Sequence, residues 1–230
     1  MSEYRLVDVS MPMDGFDFAG DQPFEVTGPF DRVSGSNPEY VYDLGLSTQT
    51  GTHVQGAHYF AEDGKRIGEY SLERFEGRAA CIDLEKRGVD ATVDDLEAAL
   101  GSGPLPDGML ILRTGHMEEV LETGVLDADS RPGLSLEAAR WLVEEKDLEL
   151  LAIDSVGVES RDTRNYEVNV YLGEQDVLIL EGLVNLDSIG ETEVWLEAFP
   201  LKVRDVEGTP CRAVVKEPVD EVAGFSRRTR

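Results

Sequence analysis

Apolar positions recur along this chain with two different periods, which predict strands and helices in succession. Alternating or continuous apolar runs predict strands at 5–11, 78–84, 109–113, 150–153, 177–180, 194–203 and 212–215. Helical spacing follows Thr92 and Ser135, and both are good N-cap residues, so a helix is expected after each. Residues 15–30 are rich in Gly, Pro and aromatic side chains, which predicts an irregular, ordered loop. The result is a mixed α/β pattern with more strands than helices.

A single domain is expected over residues 1–230. The length suits one domain, and no repeat, low-complexity stretch or Pro/Gly/Ser-rich linker divides the chain. No apolar run reaches the roughly 20 residues that a membrane helix needs. The N-terminal residues are charged and lack an apolar signal segment, so a cytoplasmic location is expected.

The net charge of the chain indicates the environment and the partners that suit this protein. The chain has 47 acidic and 21 basic residues, a net charge of −26, and the acids are dispersed rather than gathered in a tail. A carboxylate-coated surface repels itself in dilute buffer and relaxes when salt screens it. With few lysines as well, the pattern predicts a halophilic protein from a high-salt cytoplasm, and an acidic enzyme of an ordinary cytoplasm is the alternative. Nucleic acids and anionic membranes are disfavoured as partners, since both attract positive charge.

Candidate chemistry is concentrated between residues 47 and 60, in the segment STQTGTHVQGAHYF. This segment holds His53 and His58, two of the three histidines of the chain. Gln49, His53 and Gln55 occupy odd positions, so they would share one face of an extended segment. Two histidines five residues apart also occur as ordinary surface or core residues, and their spacing alone does not define a site.

The segment resembles the signature His-x-Gly-Thr-His-x-Asp-x-x-x-His-Phe of the kynurenine formamidase and cyclase family of metal-dependent hydrolases. Further similar blocks follow in the family's order at 6–12, 18–24, 71–77, 112–115, 152–155 and 179–186. The resemblance implies an α/β fold with a mixed, β-barrel-like sheet and outer helices, the swivelling β/β/α type of this family. It also implies a homodimer or homotetramer that hydrolyses a small amide, ester or lactone at a metal site, often with zinc or manganese.

The family's metal-ligand positions are carried over to a mixed set of side chains: His53, Glu181, Gln49, Gln55 and Asn169. An imidazole and a carboxylate are retained, whereas the other three positions hold neutral amides, which keep a polar oxygen but lose charge and imidazole nitrogen. Such a set suits at most one divalent ion, manganese better than zinc, or none.

The family's proton-transfer histidine falls on Tyr59, with His58 one place earlier. In a regular strand these two side chains would point to opposite faces, and a bulge at Gly56 would turn His58 inward. Imidazole titrates near neutral pH and phenol near 10, so His58 is the preferred base. His116 is a candidate substrate-binding residue that could supply a missing imidazole.

Three interpretations therefore stay open: a hydrolase with one metal ion, a metal-independent pocket that binds a small molecule with or without another reaction, and a protein whose chemistry has decayed. Metal content separates the first from the others. Two further expectations concern charged residues. Asp154 should hold a turn at a strand end, and Arg161, Asp162 and Arg164 should form a solvated ion-pair network.

Overall fold

The computed structural model describes residues 4–17, 22–31, 40–84, 88–127, 130–160 and 165–218. Its strands are β1 (Tyr4–Asp8), β2 (Glu25–Asp31), β3 (Tyr40–Gly45), β4 (His53–Gln55), β5 (Glu76–Asp83), β6 (Asp90–Ala91), β7 (Met109–Arg113), β8 (Gly133–Leu134), β9 (Leu150–Ile153), β10 (Leu178–Glu181), β11 (Glu193–Pro200) and β12 (Gly208–Pro218). Its α-helices are α1 (Val93–Leu100), α2 (His116–Thr123), α3 (Leu136–Lys146) and α4 (Glu167–Glu174). Arg161, Asp162 and Arg164, and residues 18–21 of the predicted loop, lie outside the described residues.

The main sheet curls back on itself. Within the described ranges it has eight strands in the order β1-β12-β11-β5-β7-β9-β10-β4. The central strands β5, β7, β9 and β10 are parallel to their neighbours in that series, and the flanking pairs are antiparallel. Because β4 pairs with both β10 and β12, the two halves of the sheet meet. This arrangement confirms the predicted mixed α/β fold with a barrel-like sheet.

Side-chain alternation along the parallel strands divides the core into two layers. In β7, Met109 and Ile111 pack inside the curled sheet, whereas Leu110 and Leu112 pack with apolar residues of the outer helices. Strands covered on both faces read as continuous apolar runs. For this reason the sequence predicted β7 and β9 with their observed bounds.

Two helices were predicted from their caps, and both are confirmed. The Thr92 side chain accepts a hydrogen bond from Asp95 N at the start of α1, and Ser135 accepts from Ala138 N at the start of α3. Helices α2 and α4 were not predicted. Each begins after a residue in the left-handed region that makes no side-chain cap of its own, so the local signal is missing.

The predicted loop over 15–30 is wrong in its second half, since β2 starts at Glu25 and pairs with β3 as a separate two-stranded sheet. The strands predicted at 5–11 and 194–203 end earlier than expected, at Asp8 and Pro200. Of the described helices, none combines the length and the apolar character needed to cross a membrane.

Candidate functional site

Two retained signature residues meet where β4 pairs with β10. His53 lies directly opposite Glu181 in the antiparallel register, so their side chains share one face of the sheet. His53 Nε2 is 3.5 Å from Glu181 Oε2, and the two side chains are only 3% and 8% exposed. The neighbouring residues Val54 and Leu180 pack into the inner core, which places the pair on the opposite, helix-facing side.

The tautomer of His53 follows from its other nitrogen. Nδ1 is 3.0 Å from the carbonyl oxygen of Gly51, which only accepts hydrogen bonds, so Nδ1 donates. A neutral His53 then directs the lone pair of Nε2 towards Glu181. Two acceptors 3.5 Å apart in a buried place attract one another only through a shared cation, which is a proton or a metal ion.

Gln55 completes a compact group with this pair. It lies two residues along β4 on the same face, it is buried, and its Nε2 donates to Glu181 Oε1 at 3.4 Å. Its Oε1 is buried without a hydrogen-bond partner among the described residues. Of the five side chains at the family's metal-ligand positions, the structure therefore brings His53, Gln55 and Glu181 together.

The other two amides lie elsewhere, and each donates to a carboxylate of its own. Gln49 Nε2 donates to Glu207 Oε1 at 3.2 Å rather than joining His53. Asn169 is in the first turn of α4, where its side chain donates to Glu159 Oε2 at 2.8 Å. Glu159 also accepts from the backbone N–H groups of Val168 and Asn169, so this buried carboxylate caps α4 from the segment that precedes the helix.

The segment after β4 differs from the expected strand. Ala57–Tyr59 forms a 3-10 helix, and Gly56 precedes it in an extended conformation, so the opposite-face geometry and the bulge were both wrong. His58 is half-buried and its Nδ1 has no hydrogen-bond partner within the described part of the chain. Tyr59 is 42% exposed and packs edge-on against Phe60.

His116 belongs to a buried polar cluster that is linked by hydrogen bonds to the residue after Glu181. His116 Nδ1 is 2.9 Å from the Ser155 hydroxyl, and the Ser155 carbonyl accepts from Gly182 N, the residue after Glu181. Asp154 accepts hydrogen bonds from the backbone and hydroxyl of Thr114 and from Gly115 N, so it holds the turn before α2 as predicted. Burial raises the pKa of Asp154 to about 7.

Arg131 and Glu159 border this site, and the sequence interpretation did not include them. A Cβ built on Gly157 would lie 3.5 Å from Arg131 Nη1 and 3.7 Å from Glu181 Oε1. Arg131 Nη2 donates to the Glu159 carbonyl at 3.1 Å. Neither residue stands in a motif, and their approach depends on a loop that packs against β8, so no local signal marks them.

A separate, mainly apolar cavity lies beside the residue that precedes β4. Its volume is about 610 Å³, and it is lined by residues that include Met11, Thr52, Phe199, Leu201 and Cys211. Thr52 rather than His53 contributes to it, so this cavity is separate from the His53–Glu181 pair.

The side chains beside Glu181 offer a small and mostly neutral set of donor atoms for a divalent ion. In the part of the chain that the structure describes, no group of three or more His, Cys, Asp or Glu side chains is placed to hold a metal. His53 Nε2, Glu181 Oε2 and, after rotation of its amide, the buried Gln55 Oε1 supply one nitrogen and two oxygens. Oxygen-rich donor sets of this kind favour hard ions such as manganese over zinc.

Comparison with known proteins finds kynurenine formamidases that are similar to the chain over most of its length. It is 30% identical over 226 residues to a kynurenine formamidase from Bacillus cereus, which covers 94% of this chain and 99% of that protein. It is 27% identical to a kynurenine formamidase from Erythrobacter litoralis, with 82% of each chain covered.

Solved structures with the same fold include isatin hydrolase A from Labrenzia aggregata bound to benzyl benzoate, with a TM-score of 0.79, 21% identity and 94% of each chain covered. A predicted metal-dependent hydrolase from Bacillus stearothermophilus superposes with a TM-score of 0.73 and 22% identity, covering 94% of this chain and 99% of that one. The family model described as "Putative cyclase" matches residues 7–160. From this match and the similarity to kynurenine formamidases over almost the whole chain, the protein belongs to the cyclase family.

Proposed function

We propose that this protein hydrolyses a small amide, ester or lactone, and that His53 and Glu181 are its reacting pair with at most one divalent ion. The buried approach of His53 Nε2 to Glu181 Oε2, at 3.5 Å, is the observation that carries the proposal. The names of the relatives support the reaction class, since the similar proteins are formamidases and an isatin hydrolase.

The roles of the pair follow from its geometry. Because Gly51 accepts from Nδ1, His53 Nε2 is the nitrogen that receives a proton from an attacking water molecule. Glu181 then stabilises the imidazolium, and Gln55 holds the other Glu181 oxygen in place. Burial strengthens both interactions, because little solvent screens them.

In place of that proton, a single divalent ion, manganese rather than zinc, could be held by His53 Nε2, Glu181 Oε2 and the Gln55 amide oxygen, and proton transfer would then fall to His58 instead of His53. Such an ion supplies carbonyl polarisation and lowers the pKa of a bound water molecule.

His58 is the proposed second proton-transfer group. Its half-buried ring and unpartnered Nδ1 among the described residues support it over Tyr59, whose ring is largely at the surface. His116 contributes to the substrate side of the site through Ser155, which holds the turn after Glu181.

A metal-independent ligand-binding pocket is the second candidate, and one specific feature favours it. The amides at the altered ligand positions all donate to carboxylates: Gln49 to Glu207, Gln55 to Glu181 and Asn169 to Glu159. A carboxylate that is satisfied by an amide donor needs no cation to be stable when buried.

Elemental analysis and hydrolysis assays separate the two candidates. The protein is purified without chelator, its manganese and zinc contents are measured, and a panel of formamides, esters and lactones is assayed with and without added manganese. The variants H53A and E181Q should abolish hydrolysis, whereas E207Q, which alters a carboxylate paired with a different glutamine, should retain it. Two ions per chain, or full activity in E181Q, would contradict the proposal.

The assembly is proposed to be a homodimer or homotetramer, as the family resemblance implies. Size-exclusion chromatography with light scattering measures the molar mass directly, and a monomer at micromolar concentration would overturn this part.

A further inference from the structure

The β2–β3 hairpin presents an apolar face to water. Val26 lies opposite Leu44 in the antiparallel register, so these two side chains share a face of the hairpin. Tyr40 and Tyr42 follow on that face, because they stand at alternate positions of β3 before Leu44. The four side chains are between 50% and 71% exposed, and among the described residues none of the hairpin belongs to an apolar core cluster. A two-stranded hairpin is marginally stable alone in water, so this face requires a partner surface.

A second apolar surface lies uncovered on the main sheet, on the outside of β1, β11 and β12. Val7 and Leu196 belong to the inner core, whereas their neighbours Leu6 and Trp195 point outwards and are 65% and 37% exposed. The apolar layer between the sheet and the outer helices includes no described residue of these three strands. We call this surface the outer sheet face, and it includes Leu6, Asp8, Trp195, Phe199, Arg212 and Lys216.

The outer sheet face continues into the cavity of about 610 Å³ beside Thr52. Phe199 and Leu201 line this cavity together with Arg212, and the two apolar side chains are 39% and 50% exposed. The surface is therefore a depression with apolar walls rather than a flat sheet. Such a depression suits protruding apolar side chains, which is what the hairpin carries.

Charge favours the outer sheet face as the place where a second copy of this chain approaches. The net charge is −26, so two copies repel each other over surfaces that carry mainly carboxylates. On the outer sheet face, by contrast, Arg212 pairs with Asp8 and Lys216 pairs with Glu197. The strands β2 and β3 contain acidic residues and no lysine or arginine. An acidic hairpin therefore meets cations and apolar side chains on this face instead of uncompensated carboxylates.

We propose that the β2–β3 hairpin of one copy packs its apolar face on the outer sheet face of a second copy. The inference rests on the homo-oligomer proposed above and assigns the surfaces that make its contact. Under two-fold symmetry the contact forms twice, so both hairpins and both sheet faces are covered and the assembly closes as a dimer.

The affinity of the dimer tests the role of the hairpin. In Y42T/L44T, threonine keeps the preference for a strand but removes apolar area from both contacts of the dimer. Its dissociation constant should rise at least about 100-fold over that of the wild type. The matched control V89T/V125T removes two apolar side chains that are 53% and 61% exposed elsewhere, and its dissociation constant should not change. Light scattering after size-exclusion chromatography in molar potassium chloride, which screens repulsion between the copies, measures all three proteins.

Photo-crosslinking identifies the surface that the hairpin contacts. The probe p-benzoylphenylalanine replaces Tyr42, which keeps an aromatic ring at this exposed position, and ultraviolet light joins it to neighbouring C–H groups. The product should run at twice the chain mass on a denaturing gel, and mass spectrometry should find the hairpin joined to residues of β1, β11 or β12. The same probe at Val125 should give no product of this kind. If Y42T/L44T does not fold, as judged by circular dichroism, crosslinking carries the test.

The possible results separate this inference from the proposals above. Unchanged dimer affinity in a folded Y42T/L44T would overturn the inference and leave the proposed assembly intact. A crosslink within one chain, or between the hairpin and another surface of a second copy, would do the same. A monomeric wild type would overturn both the inference and the proposed assembly, and a probe that then joins only a different protein would identify the wrong choice of partner. Hydrolysis is assayed separately on the substrate panel, so its failure would leave these measurements unaffected.

Discussion

Replacing Gln55 with glutamate should make the stability of this protein depend on metal. The change keeps the length of the side chain and substitutes a carboxylate for the amide that now donates to Glu181. The Q55E variant therefore replaces a hydrogen bond of 3.4 Å with two like charges at about the same separation. Both side chains are buried, so little solvent reaches them.

The size of the effect follows from this separation. Two unit charges 3.4 Å apart repel by about 5 kcal/mol at an effective dielectric constant of about 20. Protonating one of the two carboxylates at pH 7 costs less, about 4 kcal/mol for a glutamate of ordinary pKa. The loss in the free energy of unfolding is therefore limited to about 4 kcal/mol. A loss of about 4 kcal/mol in the free energy of unfolding corresponds to a fall in Tm of roughly 8–16 °C for a chain of this size. A divalent ion at 100 times its Kd would restore about 2.7 kcal/mol.

Thermal denaturation with EDTA or with manganese measures both parts of this prediction. The matched control is Q49E, which places the same new charge beside Glu207 at a half-buried position, where the repulsion should be within about 1 kcal/mol and independent of metal. The prediction would be refuted if Q55E were as stable as the wild type in EDTA, or if manganese left the Tm of Q55E unchanged. Either result would mean that residues 55 and 181 do not form one cation site.

Three further predictions concern the whole surface, a buried acid and proton transfer. Because the net charge is −26, Tm should rise substantially between dilute buffer and molar potassium chloride, and a flat response in differential scanning calorimetry would remove the high-salt interpretation. Burial raises the folded-state pKa of Asp154 to about 7, above its unfolded value, so its contribution to stability is present at low pH and is lost as the pH rises from about 4 to 7. Urea denaturation should show the difference between wild type and D154N falling by up to about 4 kcal/mol over that range, and a difference that grows with pH would contradict the sign. For any substrate that the panel reveals, H58A should lower kcat by about 100-fold while Y59F changes it little, and the reverse pattern would assign proton transfer to Tyr59.

Elements whose causes are local could be predicted from the sequence alone. The strands β7 and β9 are continuous apolar runs because both of their faces are covered, and their predicted bounds were correct. Thr92 and Ser135 cap their own helices, so α1 and α3 could be placed from neighbouring residues. The order of the similar blocks was sufficient to indicate the family, because it requires no knowledge of contacts.

Other features depend on contacts between separate segments, and they could not be predicted from local sequence. The start of α2 is held by Asp154, whose carbonyl accepts from Met117 N, and the start of α4 is held by Glu159 from the irregular segment between β9 and α4, so the first residues of these helices do not reveal their caps. The β2–β3 hairpin is exposed along most of its length, so it lacks the buried alternation that predicts a strand.

The candidate site shows the same division between local and long-range causes. His53 and Gln55 share a face because they are two residues apart in a strand, and the sequence predicted this. That Gln55 donates to Glu181, that Asn169 is held by Glu159, and that Arg131 faces Glu181 across Gly157 all depend on how separate segments pack. Contacts between separate segments leave no periodic pattern and no fixed spacing in the sequence, so they can be known only from the folded structure.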